Sequence, residues 1–106
     1  MSIKDKADLV DYIVQSGFDN TGLFSPVRQE IYQTIGMLRW YTNINFTDTM
    51  LLNIEKTYDA IVLNNIKNIL TNIPEKELNT IETMINDSIA EVKEYIRSFA
   101  GQLRAT

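Results

Sequence analysis

Residues 78–103 read LNTIETMINDSIAEVKEYIRSFAGQL, and Leu78, Ile81, Ile85, Ile89, Val92, Ile96, Phe99 and Leu103 recur through them at steps of three and four. That spacing places side chains along one side of an α-helix, with polar and charged residues filling the rest. Glu75, Glu77 and Glu82 lie toward the start, and Arg97 and Arg104 toward the end. This polarity complements the helix dipole. At about 1.5 Å per residue the stretch is about 39 Å long. A compact chain of this size has a radius of gyration of about 13 Å and a diameter of about 33 Å. Two outcomes are open: the helix overhangs its domain and buries its free end against another chain, or the end frays or bends.

The preceding sequence is punctuated in the same way. Ser2 followed by Asp5 resembles a capping box. Ile3, Ala7, Val10 and Val14 then repeat at helical spacing with Leu9 and Ile13 beside them, and Gly17 stands where a left-handed residue would close the helix. Phe18–Phe24 is a turn-rich connector around Asp19-Asn20-Thr21-Gly22. Ser25-Pro26 opens a second helix with Val27, Ile31, Ile35 and Leu38 as its stripe, ending near Thr42. Thr47-Asp48 is a third start, and apolar residues from Met50 to Ile73 follow at mixed steps, with a kink or break expected near Glu55 and Asp59. Pro74 closes that element. No run alternates with period two over more than a few residues. The expectation is an all-α fold, a three- to four-helix bundle with a long amphipathic C-terminal helix, forming a single domain over residues 1–106. Tyr58 and Tyr95 are assigned to its core.

Composition excludes several function classes. The chain has 106 residues, 44% of them apolar and 23% charged, with a net charge of -4. That is one ordinary globular core, not two. An acidic balance opposes nucleic-acid binding and docking on an anionic membrane. No stretch approaches the length of a membrane span, and the charged start, Ser2 to Asp8, is unlike a secretory signal, so manufacture and use inside a cell are expected. There is no Cys and no His. Thiolate chemistry, histidine-based triads and ordinary zinc sites are therefore excluded. The four glycines make no phosphate-binding pattern. Asp48, Glu55 and Asp59 would share a narrow arc on one straight helix, which reads as a solvated acidic edge in preference to a cation site. No catalytic residue, metal ligand or cofactor is expected.

One surface draws attention. Residues 25–46 contain only Arg28, Glu30 and Arg39 as charges, yet carry Tyr32, Met37, Leu38, Trp40, Tyr41, Ile44 and Phe46. On a helical wheel Trp40 falls nearly opposite Ile31, above Gly36, Gln33 and Gln29. Gln29, Gln33, Gly36, Trp40, Tyr41 and Phe46 form a candidate protein interface, since Trp and Tyr bury much area at little entropic cost. The alternative is that Trp40 folds into the core with residues 41–46 wrapped over it.

Phe18, Phe24-Ser25-Pro26, Tyr41-Thr42-Asn43-Ile44-Asn45-Phe46 and Tyr58-Asp59, with the length and helical layout, resemble small helical proteins encoded among the head and tail genes of tailed bacteriophages. The resemblance covers about the first two-thirds of the chain and rests on aromatic spacing. It implies a non-enzymatic virion component near the head–tail connector, assembled in the host cytoplasm, with itself or other virion proteins as partners. A homo-oligomer is the expected state. The competing expectation is a small acidic inhibitor of a host protein, such as an anti-defence factor.

Overall fold

Short polar side chains set the helix starts. In the computed structural model, which describes residues 1–105 and side chains through Phe99, α1 spans Ile3–Gly17 and α2 spans Pro26–Tyr41. Ser2 Oγ accepts from the Asp5 N–H at 3.1 Å, and Ser25 Oγ accepts from the Arg28 N–H at 3.3 Å. Each satisfies a donor that the first turn leaves without a helical partner. Thr47 does the same for the Met50 N–H, opening α3 at Asp48–Leu52. Then come α4 (Ile54–Leu63), a 3-10 helix (Ile66–Asn72) and α5 (Glu75–Ala105). The all-α class and the long last helix stand, but among the described residues the α-helices number five, plus the 3-10 helix.

The extra breaks fall at asparagines. Asn53 leaves helical geometry (φ -107°, ψ 53°) and separates α3 from α4. Thr57 Oγ1 spans the break by donating to the Met50 carbonyl at 2.7 Å. Asn65 adopts left-handed backbone at φ 59°, a conformation asparagine tolerates better than most residues, and the chain tightens into the 3-10 helix. The break expected near Glu55 and Asp59 thus lies a few residues earlier, at Asn53. It puts Asp48 on α3 and the other two acids on α4, so the three share no single helical arc.

Two corrections concern α1 and α2. Gly17 ends α1 inside the helix, without positive φ, and its missing side chain makes room for Phe24, whose Cε2 lies 3.1 Å from where a Cβ would stand. The left-handed residue is Gly22, at φ 82° in the connector, where Asp19 Oδ1 accepts from the N–H groups of Thr21 and Leu23. Val27, assigned to the α2 stripe, is 69% exposed, whereas Ile31, Ile35 and Leu38 are buried.

The packing order follows from the contacts. The N-terminal amine and Lys6 Nζ lie 3.8 Å and 3.7 Å from Glu77, near the start of α5. At the other end of α1, Phe24 and Gly22 meet Lys93 and Ile96. Hence α1 and α5 run parallel, and α2 returns against α1. One apolar cluster joins Leu9, Val10, Ile13 and Val14 of α1 to Met37 of α2 and Ile81, Ile85 and Ile89 of α5. A second joins Ile31, Ile35 and Leu38 of α2 to Ile61 of α4, with Leu51, Ile54, Tyr58 and Ile66 around it. Leu70 touches both. Each fully buried Leu or Ile contributes about 1.5–3 kcal/mol. The molecule measures 52 × 30 × 19 Å with a radius of gyration of 15.5 Å, longer than a compact chain of this size because of α5.

Candidate functional site

The structure distributes the six expected interface residues over both sides of α2. Gly36 is buried against α1: a Cβ there would stand 3.1 Å from Leu9 Cδ1 and from Tyr12 Cδ2. Close helix approach, not a flat patch for a partner, is what Gly36 provides. Trp40 is half-buried beside Tyr12, with ring centroids 5.5 Å apart, and the Arg39 guanidinium lies over both rings at 5.1 and 5.4 Å. Gln29 donates to Gln33 at 3.3 Å, and the two edge a narrow cleft with Glu82, Ile85 and Asn86 of α5. Tyr41 packs on the α1–α5 cluster, whereas Phe46 packs on the α4 side. Gln29, Gln33, Gly36, Trp40 and Tyr41 thus share the α1–α5 side, where much of what they make is contact between helices of this chain, and Phe46 alone lies on the α4 side. The segment is poor in charge because α2 is the central helix, covered on one side by α1 and on the other by α4 and the 3-10 helix.

The Tyr41 hydroxyl is buried beside the Glu77 carboxylate without a well-formed hydrogen bond. Burial first, and the adjoining negative charge second, push its phenol far above the ordinary range. Replacing Tyr41 by Phe removes a desolvated group with no partner, so the variant is expected to gain about 1 kcal/mol, read as a higher urea midpoint at unchanged slope. The pH dependence has a definite sign. The unfolded phenol ionises near pH 10 while the folded one does not, so wild-type stability falls above about pH 10. That part of the alkaline loss is absent from Tyr41→Phe.

Sequence reasoning missed a second feature, a cleft of about 560 Å³ between the first turns of α2 and the middle of α4. Pro26, Val27 and Ile31 supply apolar walls, and Glu30, Glu55, Tyr58 and Asp59 supply polar ones. Glu30 is its hub. One carboxylate oxygen accepts from Thr34 Oγ1 at 3.2 Å, from the Tyr58 hydroxyl at 3.1 Å and from Lys67 Nζ. Partial burial would raise the Glu30 carboxyl, but the Lys67 hydrogen bond and charge, with Tyr58 and Thr34, outweigh it and hold the group below the usual range. The same contact raises Lys67. Stability from this pair is present above the ordinary glutamate value and is lost as pH falls through the lowered one. Glu30→Gln is therefore expected to flatten the acid limb between about pH 5 and pH 3, measured by thermal unfolding across that range. Because the pair is half-exposed, solvent screening keeps the effect small.

Across the cleft, Glu55 and Asp59 stand four residues apart on exposed turns of α4. Among the described residues neither makes an ion pair, and no three acidic, His or Cys side chains gather at metal-site spacing.

A third feature lies on α5. Ile81 and Ile85 are 1% exposed and Ile89 is 8% exposed, but farther along the same stripe Ile96 is 37% and Phe99 54% exposed. Tyr95, assigned to the core by its spacing, is 72% exposed, because it stands about 100° around the helix from Ile96 and so off the stripe that faces the α1–α2 hairpin. Lys93 Nζ sits 4.7 Å from the centroid of the Phe24 ring, and Ile96 reaches the Gly22 turn. Leu103 lies outside the residues whose side chains are described.

Among the described residues no helix is long and apolar enough to cross a membrane. Comparison with protein-family models, with curated proteins and with solved structures finds no match to this chain.

Proposed function

We propose that this chain is a non-enzymatic assembly protein of a tailed-phage virion, acting near the head–tail connector through contacts with copies of itself or other virion proteins. The observation that carries this reading is the apolar stripe of α5, which continues beyond the last turn its own domain covers. An amphipathic helix with an uncovered stripe gains from a second surface that removes it from water. Tyr95 and Phe99 supply large area with few rotatable bonds, the side-chain type that anchors protein contacts. The virion setting is supported by the aromatic spacing of the first two-thirds of the chain.

Static light scattering at rising concentration tests the reading. The expected mass exceeds the 12.2 kDa of one chain, and Phe99→Glu lowers it while leaving the helical circular dichroism signal intact. A wild-type chain that stays at one-chain mass at high concentration, and takes up no product of the neighbouring genes, overturns it.

A further inference from the structure

We infer that the exposed end of α5 docks into the acidic cleft between α2 and α4 of a second copy, so that copies join head to tail. The inference rests on the self-association proposed above and adds the surface that receives α5.

Both halves of the contact are incomplete within one chain. The cleft has an apolar wall in which Val27 is 69% exposed, and a rim carrying Glu55 and Asp59 without cations among the described residues. Glu55 and Asp59 also repel one another across one helical turn. Of the cleft's three carboxylates, Lys67 engages only Glu30. The end of α5 has the opposite character. From Tyr95 onward the sequence holds Arg97 and Arg104 and no Asp or Glu, and Tyr95, Ile96 and Phe99 expose apolar surface beside Arg97. Among the described residues, the one carboxylate near Arg97 is Glu94, 3.5 Å away and one turn back, with both side chains largely exposed. Such a pair is readily exchanged for another carboxylate.

The complement is therefore specific: an aromatic-apolar helix end with a guanidinium, against an apolar cleft edged by unpaired carboxylates. The cleft, at about 560 Å³, is open to solvent and can be approached by a helix end from outside. Occupation within one chain is prevented by α5 itself, which runs as one unbroken helix and has no hinge with which to fold back. Because donor and acceptor are different surfaces, the contact is heterologous, and it repeats until the rotation closes a ring or continues as a filament.

Charge exchange tests this. Arg97→Glu and the double variant Glu55→Lys/Asp59→Lys are each expected to fall to one-chain mass in light scattering. Mixing the two restores association, because the altered helix end of one now meets the altered cleft of the other. A Val27→Asp chain, altered at an exposed position and so folded by circular dichroism, also falls to one-chain mass. If the Glu55→Lys/Asp59→Lys chain keeps the wild-type mass while Phe99→Glu is monomeric, α5 pairs with α5. The head-to-tail contact is then overturned and self-association survives. If the wild-type chain is itself monomeric, both are overturned.

Discussion

Ile85→Asp is expected to abolish the folded state under conditions in which Phe99→Asp, about four helical turns further along α5, changes stability by less than about 0.5 kcal/mol. Ile85 is 1% exposed and sits among Leu9, Val10, Ile13 and Val14 of α1, with Met37 of α2. No cation in that cluster can pair a carboxylate, so the substituted side chain must be protonated, hydrated or expelled. Expulsion detaches α5, whose packing on the rest of the molecule runs through α1. The cost exceeds about 4 kcal/mol, comparable to the whole margin of a small domain. Phe99 is 54% exposed and lacks this surrounding. Urea denaturation followed by circular dichroism separates the two. Equal losses at both positions would mean that the domain covers α5 to its end.

Gly36→Leu is the second large effect, and it distinguishes a glycine needed for packing from one that merely sits on a helix. A Cβ alone would approach Leu9 Cδ1 and Tyr12 Cδ2 to 3.1 Å, tighter than ordinary van der Waals contact. Three further carbons have nowhere to go unless α1 moves away from α2. Leu9 is completely buried, and Tyr12 is held between the rings of Tyr32 and Trp40, at centroid distances of 5.7 and 5.5 Å. Overpacking of this kind costs about 1–3 kcal/mol, and the better helix propensity of Leu returns less than about 1 kcal/mol. Thermal unfolding should shift down by about 10 °C. An unchanged midpoint would show that Gly36 faces open space and would restore it as a candidate contact position.

The long helix, the Ser2, Ser25 and Thr47 caps and the main residues of the apolar stripes were readable because each depends on neighbours within a few positions; that the stripes gather in two clusters bridged by Leu70 was not. The break at Asn53 was expected only a few residues too late, near Glu55 and Asp59, and the one at Asn65 was not expected, since a single asparagine in an apolar-periodic stretch gives the same local pattern whether it caps, turns or points outward. Residues 25–46 misled for a physical reason. A helix sandwiched between two others and a helix awaiting a partner both lack charge, and a helical wheel holds no information about α1 or α4. The cleft was invisible for the same cause: Glu30 meets Tyr58 and Lys67 across separations of 28 and 37 residues. Tyr95 shows the converse limit, because steps of three and four also reach the edge of a stripe, where the covering helices leave a side chain in water.

The parallel pairing of the first helix with the last has a consequence for biosynthesis. While the ribosome extends the chain, α1 and α2 can close as a hairpin, but the strip formed by Leu9, Val10, Ile13 and Val14 awaits Ile81, Ile85 and Ile89. At about 5–20 residues per second, those partners emerge several seconds later. For that interval a nascent polypeptide carries a greasy ridge without the residues that cover it in the finished fold, so the first third of the molecule waits on its last third to mature.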